Sequence, residues 1–246
     1  MIKMCIISGA EDRLLSRFIE SLTFIKQDVQ VYILRNKPTN VVIPKGSNIT
    51  MKMVENANYR KNGQIQLLKL RYESVLMADP KEGDIIMLLD DDAWFEKTVN
   101  FTEVIDLLEN KGVKFIVGKD IPAPLPYDAC RTTGIFRGHF FKYNPVVWEK
   151  VGLYKEFYGG GEDGVIAALN YKYGGGACIQ TTILGVNHVG KNSWFYMPDR
   201  ADVNSCVWLL NGHPEFSMNI FDREIMQLFN KLQGSLTPPI PKTVVI

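Results

Sequence analysis

The sequence predicts an α/β protein with a mostly parallel central sheet and helices on both of its faces. Two observations carry that expectation. Short apolar runs alternate with stretches of helical periodicity through the first half, the order that β-α-β units produce. One run, Ile85-Ile86-Met87-Leu88-Leu89, is apolar without interruption, as a strand buried on both faces requires.

Met1–Ser8 and Val29–Leu34 read as buried strands, joined by a helix on which Leu14, Phe18, Leu22 and Ile25 recur at helical spacing. Asn48–Val54 is expected as a third strand. Gln64–Ala78 is expected as a helix, with Ile65, Leu68, Tyr72, Val75 and Leu76 on one face. Asp84–Leu89 follows as a strand. Phe101, Val104, Ile105 and Leu108 then mark a helix, and Val113–Val117 another strand.

The second half differs in texture. Lys119–Arg131 is proline-rich and reads as a loop. Thr133–Tyr143 is expected as a strand, and Asn144-Pro145 opens a short helix, because proline suits a first helical turn. Tyr158–Gly164 reads as a glycine-rich turn ahead of the apolar helix Val165–Tyr171. Ala177–Val186 is the last clear strand. Residues 190–214 are expected as a flexible flap, Ile220–Leu232 as a closing helix, and 234–246 as a proline-rich tail. Residues 1–233 thus form one domain, which suits a chain of 246 residues.

Bulk composition excludes several classes. A formal charge of +1 gives no overall field to draw in nucleic acid or an anionic membrane. The four cysteines show no Cys-x-x-Cys pair, which argues against zinc and fits reduced thiols in a cytoplasmic protein. No apolar run approaches the roughly 20 residues that a membrane-spanning helix needs.

Three features carry chemistry. Asp90-Asp91-Asp92 follows the apolar strand with no basic residue among them. Ligand sites in open α/β sheets lie just beyond the carboxyl ends of strands, and clustered carboxylates favour a hard divalent cation such as Mg²⁺ or Mn²⁺. The plain alternative is an acidic helix cap. The second feature is Gly159-Gly160-Gly161-Glu162-Asp163-Gly164, where glycine permits close approach to a ligand and two carboxylates head the next helix. The third is His188, at a strand end and followed by Lys191 and Trp194.

In this order and context the chain resembles the metal-dependent glycosyltransferases of the GT-A fold, a Rossmann-like architecture, and in particular their families 2 and 7. Asp90-Asp91-Asp92 stands where those proteins carry a "DxD" motif. Gly161-Glu162-Asp163 stands at their "GED" turn, and His188 at the histidine that follows. After the second strand, where family 2 members usually carry an acidic residue for base or ribose, this chain has Arg35-Asn36.

The resemblance implies a nucleotide-sugar-binding half, 1–118, and an acceptor-binding half, 119–233. It implies Mn²⁺ or Mg²⁺ held by Asp92, Asp90 and His188, with Mn²⁺ better suited to an imidazole. The donor would be a nucleotide-diphosphate sugar, with a UDP-sugar the first expectation. Ser8, Gly9 and Ala10 would lie under the nucleotide with Arg13 nearby. Arg60 and Lys61 are further phosphate candidates, Asp91 would approach the sugar hydroxyls, and Lys191 and Trp194 would close over the donor. Asp163 would be the catalytic base, with Glu162, Gly160 and Gly161 binding the acceptor. Inversion is the first expectation, because direct displacement needs a carboxylate beside the acceptor, and retention stays open. The acceptor would be a glycan or a hydroxymethylated base in phage DNA, the latter helped by Lys119, Arg131, Arg137, Lys142, Lys150, Lys155 and Lys172. A nucleotidyltransferase acting on sugar phosphates is the rival enzyme, although Ser8-Gly9-Ala10-Glu11-Asp12-Arg13 is too acidic and short for its glycine-rich basic loop. A non-catalytic module that binds nucleotide sugars is the rival of another class.

Overall fold

A computed structural model describes residues 1–9, 11–61, 64–95, 97–118, 138–156, 162–175, 177–181 and 186–188. The chain enters as β1 (Ile2–Ser8), α1 (Asp12–Ser21), β2 (Val29–Arg35) and β3 (Ile49–Met53). A small hairpin, β4 (Arg60–Lys61) and β5 (Gln64–Ile65), leads into α2 (Leu67–Met77). Then come β6 (Ile85–Asp90), β7 (Ala93–Phe95), α3 (Thr102–Asn110) and β8 (Val113–Gly118). The later elements are β9 (His139–Lys142), α4 (Pro145–Tyr154), α5 (Glu162–Gly174), β10 (Ala177–Thr181) and β11 (Val186–His188).

Among the described residues, one sheet holds seven strands in the order β10-β8-β9-β6-β1-β2-β3. Its neighbours pair in parallel except at β9, which runs antiparallel to both β6 and β8. The sequence therefore predicted the class correctly. β1 lies between β2 and β6 and is buried at every position, which is why its sequence shows no alternation.

Alternate residues of the central strands feed two cores. Cys5, Ile86, Leu88, Phe115 and Phe141 pack with residues of α2, α4 and α5. Met4, Ile6, Met87, Leu89, Ile116 and Phe140 pack with residues of α1 and α3 on the other face. This is the period-2 geometry of a strand read from both sides.

Local chemistry explains the boundaries. Asn144 caps α4, its Oδ1 accepting from the backbone N–H of Val146 at 2.9 Å, with Pro145 in the first turn. Lys3 sits within buried β1, yet its ammonium reaches out to donate to the carbonyls of Ala78 and Asp79 at the end of α2, each at 3.0 Å. It also pairs with Asp84 at 2.9 Å, so the last carbonyls of the helix and its negative dipole end are both served.

Three expectations need correction. The helix expected over Gln64–Ala78 starts only at Leu67, because Ile65 is paired with Arg60 in the hairpin. The α1 helix ends at Ser21 and tightens into a 3-10 turn over Leu22–Phe24, leaving Ile25 to bridge to Val99. The strand expected over Ala177–Val186 separates into β10, on the edge of the main sheet, and β11, which pairs with β7 elsewhere. The loop 119–131, the start of the Thr133–Tyr143 strand, the flap 190–214, the Ile220–Leu232 helix and the tail 234–246 lie outside the described residues.

Candidate active site

The carboxyl ends of β1, β2 and β6 stand side by side. Register places Ser8 opposite Arg35 and Ile7 opposite Asp90. The acidic triplet therefore opens at the edge where ligands of open α/β sheets are bound.

Two arginines from distant elements reach that edge. Arg35, at the tip of β2, is fully buried. Its Nη1 donates to Ser8 Oγ at 2.8 Å and to Asp91 Oδ2 at 3.1 Å. Its Nη2 donates to Asp12 Oδ1 at 2.9 Å, and its Nε to the carbonyl of Lys37 at 3.0 Å. Ser8 Oγ in turn donates to Asp91 Oδ2 at 2.6 Å. Asp12 also accepts from Thr39 Oγ1 and from the backbone N–H of Asn40, so the segment after β2 is tied to the head of α1.

Arg71, on α2, is the second. Its Nη1 donates to the carbonyl of Leu89 at 2.9 Å and its Nη2 to Asp90 Oδ1 at 2.7 Å. Its Nε lies 3.6 Å from Glu162 Oε1. One guanidinium thus touches both the first carboxylate of the triplet and the first residue of α5. Gln66, the residue just before α2, donates through Nε2 to the carbonyl of Glu156 at 2.9 Å and to its Oε2 at 3.1 Å.

The triplet divides accordingly. Asp90 is joined to Arg71 and Asp91 to Arg35, while Asp92 is buried immediately ahead of β7. Burial pushes the Asp91 carboxyl up to about 7, against the lowering pull of the Ser8 hydrogen bond and with the Asp92 charge adding to the rise. Asp91, expected to approach a sugar, is thus turned inward onto Ser8 and Arg35. Ser8, expected under a nucleotide, is also buried.

β11 runs antiparallel beside β7 and sets His188 opposite Ala93, the residue after Asp92. The backbone therefore brings the expected histidine to the triplet. β7 itself is held to α1 by Arg17, whose guanidinium lies 3.6 Å from the Trp94 ring centroid. Among the described residues no group of three or more His, Cys, Asp or Glu side chains is arranged to hold a metal ion.

The remaining expected residues distribute as follows. Gly9 follows β1 at the edge, and Arg13 is exposed on α1. Arg60 and Lys61 form β4, in the hairpin ahead of α2. Glu162 and Asp163 open α5. Ala10, Gly160, Gly161, Lys191 and Trp194 lie outside the described residues, as do Lys119, Arg131 and Arg137. Lys150 and Lys155 stand over the rings of Tyr173 and Tyr72 respectively. No helix among the described residues is long and apolar enough to cross a membrane.

Sequence reasoning missed Arg35, Arg71 and Gln66 as parts of the site. The signal for Arg71 was there: it falls on the same buried face of α2 as Leu68 and Val75. A cation on an apolar stripe needs a buried anion nearby.

No protein-family model matches the chain, and no curated protein sequence matches it. Among solved structures it is similar to the mannosyltransferase PcManGT from Pyrobaculum calidifontis in complex with GDP-Man and Mn²⁺. That likeness has a TM-score of 0.46 and 14% identity, over 73% of this chain and 54% of that one. It is also similar to S. aureus TarS 1-349, at TM-score 0.44 and 10% identity, over 70% of this chain and 56% of that one. A third is the galactosyltransferase LgtC in complex with donor and acceptor sugar analogs, at TM-score 0.40 and 13% identity, over 74% of this chain and 73% of that one. The chain spans about half the length of the first two.

Proposed function

We propose that this chain is a glycosyltransferase that moves a sugar from a nucleotide-diphosphate sugar to an acceptor hydroxyl. The observation that carries the reading is the convergence of three acidic or metal-type features on one edge. The triplet ends β6, the strand carrying His188 pairs beside it, and Glu162 reaches Arg71 from the head of α5.

The residues present fit a divalent cation in their chemistry. Asp92 offers oxygen and His188 nitrogen, a mixed set that suits Mn²⁺ better than Mg²⁺. Asp90, which also pairs with Arg71, would be the third residue to hold it. When bound, such a cation neutralises charge on the diphosphate as the sugar leaves.

The chain's own residues do the rest. Ser8, Gly9 and Ala10 form the floor beneath the nucleotide, and Arg13, Arg60 and Lys61 offer positive charge to its phosphates. Asp91 braces that floor through Ser8 and Arg35. Lys191 and Trp194 close over the donor and exclude water, which limits wasteful hydrolysis. Glu162, Gly160 and Gly161 orient the acceptor, and Asp163 takes the proton from its hydroxyl, giving direct displacement with inversion.

The acceptor is a glycan hydroxyl or the hydroxymethyl group of a modified DNA base. Lys142 on β9, Lys150 on α4 and Lys155 just past its end supply cations on the acceptor-side half. Binding to modified duplex DNA that weakens as salt rises would select the second.

The test is incubation with Mn²⁺ and a panel of labelled nucleotide sugars. Slow release of free sugar and nucleoside diphosphate supports the transferase. Sugar phosphate formed in the presence of pyrophosphate identifies a nucleotidyltransferase instead. Binding without turnover identifies a non-catalytic module.

A further inference from the structure

We infer that helix α2 is a clasp for the acceptor side of the site, with Arg71 a positioning residue that fixes Glu162 relative to Asp90. The inference rests on the glycosyltransferase reading above and adds to it a residue that touches neither substrate nor metal.

The geometry is specific. Arg71 is 2% exposed, and its fork engages groups from two separate elements. Nη1 and Nη2 hold the end of β6 at Leu89 O and Asp90 Oδ1, at 2.9 and 2.7 Å. The remaining Nε faces Glu162 Oε1 at 3.6 Å. A planar guanidinium keeps these directions fixed, whereas a lysine ammonium is a point charge without them.

The same helix also holds Glu156. Gln66, 3% exposed, donates to both the carbonyl and the carboxylate of Glu156. Lys69 pairs with Glu156 at 3.7 Å.

Packing alone does not require this arrangement. Arg71 occupies the buried stripe shared with Leu68, Ser74 and Val75, where a methionine or leucine would fill similar space without desolvating a charge. What only arginine supplies is one planar cation that hydrogen-bonds Asp90 and keeps a second face within ion-pair reach of Glu162.

The experiment compares sugar transfer with donor hydrolysis in the full chain, for wild type, Arg71→Lys, Arg71→Ala and Gln66→Ala. Loss of stability alone lowers both reactions together. Loss of the clasp lowers transfer relative to hydrolysis by about 10- to 100-fold, the usual effect of removing a supporting partner. It also raises the acceptor KM, and free guanidinium restores part of the ratio in Arg71→Ala but not in Gln66→Ala. Without substrate or metal, amide exchange in the first turn of α5 accelerates in Arg71→Lys while α3 keeps its protection.

Gln66→Ala buries no orphan charge and so reports even if the Arg71 variants do not fold. An unchanged ratio and acceptor KM in a folded variant of an active protein overturns the clasp and leaves the transferase reading standing. A wild type that neither transfers nor hydrolyses any nucleotide sugar overturns that reading, and the clasp with it.

Discussion

Arg35 and Asp91 form an ion pair of 3.1 Å in which neither side chain has any exposed surface. The pair joins the tips of β2 and β6 across β1, with Ser8 Oγ bonded to both partners. Removing one member of such a pair leaves an uncompensated charge in the interior, which costs about 3–5 kcal/mol. Arg35→Met is expected to lose that much in urea denaturation. Arg35→Met combined with Asp91→Asn is expected to recover a large part of it, because the amide still accepts from Ser8 and no charge is stranded.

The Lys3–Asp84 pair predicts a pH dependence of stability. Burial opposes ionisation of Asp84, but the backbone N–H of Lys81 and the Lys3 ammonium outweigh it and hold the carboxyl below its usual range. A lowered native value means that the unfolded chain takes up the proton first, so the stabilisation is present at neutral pH. It fades as pH falls through and below the carboxylate range. The stability difference between wild type and Asp84→Asn should be largest near about pH 6 and shrink toward about pH 3.

Gly152 tests the packing of α4 on α2. A Cβ placed there would come within 3.0 Å of the Tyr72 ring and its hydroxyl. That ring is stacked on Trp148 with an interplanar angle of 9°, so it cannot move without disturbing a second aromatic. Gly152→Ala gains about 1 kcal/mol of helix propensity, against an overpacking cost of about 1–3 kcal/mol. Thermal unfolding should show a net loss, and Gly152→Val a larger one.

Cys5 is fully buried, and burial pushes its thiol well above the ordinary cysteine range. A protonated, enclosed thiol is inert. Iodoacetamide should leave Cys5 unmodified in the native protein at about pH 8, where a free thiol reacts through its thiolate. Full modification in urea completes the expectation, read by peptide mass spectrometry.

The fold was legible because strand identity depends on neighbours in sequence. β1, β2, β6 and β8 announce themselves as apolar runs, and α4 by its Asn144-Pro145 start. β7 escaped notice because three residues, Ala93–Phe95, carry no period. The charge balance of the triplet was illegible for a different reason. Asp90-Asp91-Asp92 has no cation among its neighbours in sequence, yet Arg71 and Arg35 arrive from positions 19 and 56 residues away. Electrostatic pairing follows space, and the sheet order that creates it is a long-range property. His188 entered through the resemblance, at the histidine that follows the GED turn, and the β7–β11 register sets its backbone opposite Ala93.

The most direct test of the account is Mn²⁺ binding measured by electron paramagnetic resonance, with and without a nucleotide-diphosphate sugar. Wild type is expected to bind Mn²⁺, more tightly once the sugar nucleotide is added, and Asp92→Ala and His188→Ala are each expected to abolish that enhancement while remaining folded. Enhancement of equal size in the folded Asp92→Ala protein, or none in wild type with any nucleotide sugar, would contradict it.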